Sequence, residues 1–216
     1  MNILIVYAHP DPKSFDSQMR DRALHVLKQA GHAVQLSDLY AMRFKAAVDL
    51  GDFTNPLNSK NFDLHAEQLH AAQNGGFSPD ILQEQQKILW SDMIILQFPL
   101  WWYSLPAILK GWVERVLAYG FAYGQGRSLS ERRAMLVLTT GGPTRPFTPE
   151  KRTAISELLD HVQRGTLHFC GLDVLPPFAV YGAANATPEQ AEQFMLQYTQ
   201  VLLSLEQIEP IHYAML

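Results

Sequence analysis

The order of apolar and periodic stretches along this chain predicts an α/β fold built as a doubly wound five-stranded parallel sheet, and three observations carry that prediction. Asn2 to Tyr7 (NILIVY), Met93 to Leu96 and Arg133 to Thr139 are short, nearly continuous apolar runs, the pattern of strands covered on both faces. Helical periodicity occupies the stretches between them. Each run also ends in a loop rich in Pro, Gly or Ser before the next helix begins, which is the rhythm of repeated βαβ units.

The first strand leads into AHPDPKSFDS, where two prolines keep the backbone extended and Ser14, Asp16 and Ser17 are each able to cap a helix running through Met19, Ala23, Val26 and Leu27 to Gly31. Ala33 to Leu39 alternates as a second strand. Tyr40 to Phe77 is a long excursion around one helical stretch, Asp63 to Asn74. Ser78 and Pro79 start a helix as N-cap and first residue, and it delivers the chain to the central strand at Met93. Pro99 cannot continue the ladder, and Pro106 suits the first turn of a helix that carries Leu109, Trp112, Val113 and Val116 on one face. After the strand at Arg133, the loop Thr140-Gly141-Gly142-Pro143 precedes a helix over Glu150 to Val162, with Gly165 as its break. Val174 to Tyr181 is the last strand, placed at an edge by Pro176 and Pro177. Thr187-Pro188-Glu189-Gln190 is a capping box opening a final helix to about Leu205.

Composition narrows the function. The 216 residues are 47% hydrophobic and carry a net charge of -4 with no run of Lys or Arg, so neither a nucleic-acid groove nor a polybasic membrane anchor is indicated. One domain spanning 1–216 accounts for the length. No apolar run approaches the roughly 20 residues of a spanning helix, and a strand at the N-terminus with a lone cysteine, Cys170, reads as cytoplasmic.

In an open α/β sheet of order 2-1-3-4-5 the crevice opens beside strands one and three, and loops 9–17, 99–104 and 139–147 converge on it. The first offers a helix N-terminus to an anion, although any βα unit carries capping hydroxyls. The second carries Trp101, Trp102 and Tyr103, rings that either fill a core or face a planar ligand. In the third, glycines admit a ligand to the backbone. A phosphate at one end and a planar heterocycle at the other describe a flavin nucleotide, with backbone N–H groups of Trp102, Tyr103, Gly141 and Gly142 available to its pyrimidine edge and N5.

AHPDPKSF, QFPLWWYSLPAILKGWVERV, FAYG, TTGG and LHFCG occur in an order and spacing that resembles the NAD(P)H:quinone oxidoreductase (DT-diaphorase-like) family, enzymes of flavodoxin-like fold that bind FAD and work as homodimers. The resemblance implies His9, Ser14, Phe15, Asp16 and Gln18 near the diphosphate. It implies Pro99, Leu100, Trp101, Trp102 and Tyr103, with Thr139, Thr140, Gly141 and Gly142, around the ring system, and Tyr123 reaching over the flavin of the other subunit. The implied activity is two-electron reduction of quinones or related electrophiles by NADH or NADPH, in a ping-pong cycle passing through flavin N5. FAD is the implied cofactor, with FMN as the alternative. Two other roles stand as alternatives: a flavin-bearing regulatory subunit of a glutathione-gated potassium efflux system, which shares the AHP, WYS and TTGG features, and a flavodoxin-type electron carrier, disfavoured because such carriers are usually much more acidic than -4.

Three positions depart from the family. Asp16 stands where Asn or Ser is common, and its carboxylate would repel a diphosphate unless it caps the helix and faces away. Phe147 replaces a tyrosine and becomes an apolar wall for the substrate, and Arg152 and Thr153 occupy the neighbourhood of a missing histidine, so no side chain is assigned acid–base duty. Asp63 replaces a glutamine. His65 and His70, five apart with no carboxylate or cysteine at ligand spacing, give no metal site, and His161, His168 and Cys170 read as structural.

Overall fold

A computed structural model describes residues 1–142 and 154–213. Its sheet has β1 (Asn2–Tyr7) between β2 (Ala33–Asp38) and β3 (Met93–Pro99). A two-residue hairpin, β4 (Tyr123–Gly124) with β5 (Arg127–Ser128), lies off the sheet. Beyond β3 comes β6 (Arg133–Thr139), whose far edge is shared by β7 (Asp173–Val174) and β8 (Phe178–Val180). Every pairing in the sheet is parallel, with Ile5 level with Leu36 and Ile95, and Ile95 level with Met135. The five positions therefore follow the order 2-1-3-4-5.

The apolar runs are continuous because successive side chains serve opposite layers. From β1, Leu4 and Val6 join Ile94, Leu96 and Trp112 on one face, while Ile3, Ile5 and Tyr7 join Met19, Leu27, Tyr198 and Leu202 on the other. The second face is covered by α1 (Phe15–Gln29) and α7 (Pro188–Leu203), the first by α3 (Pro79–Trp90) and α4 (Ala107–Val116), with α2 (Leu64–Asn74) packed on the flank. Burying each of these large side chains contributes on the order of 1.5–3 kcal/mol.

Several local expectations change. Asp63 does not sit inside α2 but caps it, accepting from Ala66 N–H at 3.1 Å. Ser78 occupies the N-cap of α3 but turns its hydroxyl to Asp80 Oδ1 at 2.6 Å. Pro99 closes β3 as its last paired residue, and Pro106 is the N-cap of α4. Gly165 breaks nothing, because α5 (Ile155–Leu158) and α6 (Asp160–Val162) continue into a π-helical turn over Gln163–His168 that contains it. The last strand is two pieces, since Pro176 and Pro177 lack the N–H groups that pairing to β6 needs.

Candidate functional site

The carboxyl ends of β1, β3, β6 and β8 surround a crevice of about 500 Å³. His9, Ser14, Phe15, Asp16, Gln18, Pro99, Trp101, Thr139, Thr140 and Gly141 line it together. Leu100, Trp102, Tyr103 and Gly142 lie outside that lining. Leu100 packs on the core and donates from N–H to Thr139 O at 2.8 Å, which pins the aromatic loop to the glycine loop.

The anion end is built around Ser14. Its Oγ accepts Ser17 N–H at 3.1 Å as the N-cap of α1, so Phe15 and Asp16 N–H have no intrahelical acceptor. Ser17 Oγ is held by Tyr7 OH at 2.7 Å and donates to Asp11 O at 2.7 Å, which fixes the loop. Asp11 N–H donates to His9 Nδ1 at 3.0 Å, so a neutral His9 carries its proton on Nε2 and presents a donor. The His9 ring lies against Trp101, with centroids 6.0 Å apart.

The ring end is strained and open. Trp101 and Ser104 form an antiparallel bridge, and the two residues between them, Trp102 and Tyr103, take φ +50° and +59°. Left-handed backbone costs a residue with a Cβ about 1–2 kcal/mol. Trp102 is 97% exposed, so the strain is spent on displaying a large ring. In the glycine loop, a Cβ built on Gly141 would meet nothing within 4 Å among the described residues, so its backbone borders free space. Thr140 Oγ1 donates to Gly142 O at 2.6 Å, and Thr140 N–H to Val180 O at 2.8 Å. A capped helix N-terminus with a His9 donor at one end, and an unshielded backbone edge at the other, fit a planar ligand bearing an anionic tail.

Asp16 does not cap the helix or face away. It is 3% exposed, its Oδ2 accepts from Thr139 Oγ1 at 2.6 Å, and among the described residues its Oδ1 has no partner. Burial pushes its carboxyl above the usual range, against the pull of the Thr139 hydroxyl and the His9 charge. Tyr123 lies elsewhere, in a second cavity of about 290 Å³ with His65, Phe169 and Cys170, its OH 3.3 Å from His65 Nε2. His161 reaches the aromatic loop, Nε2 lying 3.2 Å from Ser104 Oγ. Cys170 is buried and its thiol is pushed up to about 12. Phe147, Arg152 and Thr153 lie outside the described residues. Among the described residues no group of three or more His, Cys, Asp or Glu is arranged to hold a metal ion, and no helix is long and apolar enough to cross a membrane.

The sequence reading missed one wall. Ala183, Ala184, Ala186 and Ala191, in the segment from β8 into α7, complete the crevice. Small residues after the last strand, at the carboxyl edge where such sheets bind, were the available signal.

The chain matches the flavodoxin-like fold family model over residues 1–202. It is 39% identical over 217 residues to rat ribosyldihydronicotinamide dehydrogenase [quinone], covering 97% of this chain and 94% of that one. To rat NAD(P)H dehydrogenase [quinone] 1 it is 37% identical over 218 residues, covering 98% and 80%. A Klebsiella pneumoniae crystal structure described as a candidate quinone reductase superposes with a TM-score of 0.96 at 38% identity, covering 99% of this chain and 88% of that one. With that agreement in fold and sequence, the chain belongs to the flavodoxin-like NAD(P)H:quinone oxidoreductase family and is an oxidoreductase.

Proposed function

We propose that this protein is a flavin-dependent reductase that takes electrons from NADH or NADPH and delivers them, two at a time, to quinones or related electrophiles. The observation that carries the reading is the crevice itself, where a capped helix N-terminus and an open glycine backbone face one cavity from two loops. FAD is the cofactor proposed, on the family resemblance, and when bound it supplies the electron relay between donor and acceptor in a ping-pong cycle. Relatives named as quinone dehydrogenases support the acceptor class.

The chain's own work is binding and orientation. Ser14, Phe15, Gln18 and His9 would hold the diphosphate, with Asp16 beside it, and Pro99 to Tyr103 and Thr139 to Gly142 would frame the ring system. The N–H groups of Gly141 and Gly142 would stabilise negative charge developing at the ring edge, so no side chain is given acid–base duty there. Phe147 would wall the acceptor site. Residues 1–216 would act as one cytoplasmic unit paired as a homodimer, since Trp102 is left 97% exposed and Tyr123 would complete the partner's site.

The cofactor released by denaturing the purified protein decides the reading. One FAD per chain, by absorbance and mass, is expected. A protein that carries no flavin and takes up neither FAD nor FMN on titration contradicts it.

A further inference from the structure

One carboxyl group in the crevice is in the wrong state for its place if it is ionised. Asp16 sits in the first turn of α1, is 3% exposed, and lines the cavity beside Ser14 and His9. Among the described residues Oδ2 accepts from the Thr139 hydroxyl, and Oδ1, closed from solvent, has no partner. Among the described residues no ion pair reaches it. Arg20, one turn along α1, is committed to Asp21 at 2.8 Å and Asp38 at 3.2 Å.

We propose that Asp16 is a neutral carboxylic acid in the flavin complex, so that the anionic end of the cofactor binds together with one proton taken up from solvent onto Asp16. The inference rests on the flavin reading above. An ionised carboxylate buried without a counter-ion is disfavoured, and a phosphate group in the same cavity disfavours it again by like charge. Burial already holds the carboxyl above its ordinary range before any anion arrives. The Thr139 hydroxyl, the His9 charge and the N–H of Asp16 itself favour the ionised form, and burial outweighs them.

Among the described residues the other groups around Asp16 are few. The loop after β1 contributes His9 and Asp11 to the cavity, and Tyr7 of β1, outside the lining, feels the Asp16 charge and has Arg20 4.9 Å above its ring. Tyr198 of α7 feels the Asp16 charge, and burial pushes its phenol up as well, so it stays neutral. Gln97 of β3 and Thr139 of β6 are uncharged, and the segment 183–191 lines the cavity with alanines. The Asp16→Asn substitution separates the Asp16 proton from every other group in this set.

Linkage gives the sign. A ligand that binds the protonated form more tightly loses affinity as pH rises through the Asp16 pKa, by up to about tenfold per pH unit for one proton. Apoprotein would be titrated with FAD from pH 5 to 9, following flavin fluorescence, for the native chain and for Asp16→Asn. The amide mimics the neutral acid, so it is expected to match native affinity at low pH, to exceed it about tenfold or more at high pH, and to lose the steep slope. Riboflavin, without phosphate, is expected to show no such difference between the two proteins. Calorimetric FAD titration of the native protein in two buffers of different ionisation enthalpy reads proton uptake directly, and it serves if the variant fails to fold. FAD binding with equal pH slopes in both proteins, weaker binding to the amide at every pH, or no proton uptake overturns the proposal and leaves the flavin reading standing. Failure of FAD to bind at any pH overturns the flavin reading, and this proposal with it.

Discussion

Arg115 donates twice to Oδ1 of Asp52, from Nε at 3.1 Å and from Nη2 at 2.9 Å, across 63 residues of sequence. Both are buried, and Arg115 adds a bond to Lys45 O at 2.8 Å. The excursion after β2 thus clamps α4, the helix that leaves the aromatic loop. Removing one partner of a buried pair strands the other charge, so Arg115→Ala is expected to cost about 3–5 kcal/mol in urea unfolding. Lys45 also reaches Asp52 at 2.8 Å but is 36% exposed. A loss below about 1 kcal/mol would show that Lys45 compensates.

Gly111 lies in the middle of α4, where alanine would ordinarily gain about 1 kcal/mol of helix propensity. Here a Cβ would overlap Ala46 O and stand 2.5 Å from Ala46 Cα, a backbone that cannot swing aside. Overpacking of this kind costs about 1–3 kcal/mol, so thermal unfolding of Gly111→Ala is expected at a lower temperature than the native chain. A raised midpoint would mean that the 45–46 segment yields.

Cys170 is 3% exposed, and burial pushes its thiol up to about 12. The reactive thiolate is therefore nearly absent at neutral pH. A disulfide reagent at pH 8 is expected to leave the folded protein unmodified over hours and to label one thiol per chain in denaturant. Rapid labelling of folded protein would show that the cavity beside Tyr123 opens to solvent.

Trp102 is 97% exposed and holds a left-handed backbone, so it contributes little to folding. Trp102→Ala is expected to change stability by less than about 0.5 kcal/mol. If the ring stacks on a bound planar substrate, quinone reduction falls by about 2- to 10-fold, in line with the worth of one aromatic contact. Unchanged turnover at limiting quinone would remove Trp102 from the site.

What could be read from sequence alone followed from periodicity and caps. The continuous runs at Asn2 and Arg133 announced strands buried on two faces, and both occupy the predicted residues. The cap of α1 was legible as one of Ser14, Asp16 and Ser17, of which the fold uses Ser14, and Thr187 with Gln190 announced that of α7. β4 and β5 escaped because two residues carry no period. The surroundings of Asp16 escaped because they depend on Thr139, 123 residues away, and the alanine wall because alanine advertises no chemistry. His161 reads as a helix residue until the fold brings it to Ser104, 57 residues distant.

The central claim is that donor and quinone exchange electrons through a flavin held in the crevice of this chain. Anaerobic addition of NADH or NADPH to the flavin-loaded protein, followed by a naphthoquinone, tests it in one cuvette. The account predicts that one equivalent of nicotinamide cofactor bleaches the flavin absorbance and one equivalent of quinone restores it. Flavin that stays oxidised under excess NADH and NADPH alike, or that is bleached and then not reoxidised by quinone, would contradict it.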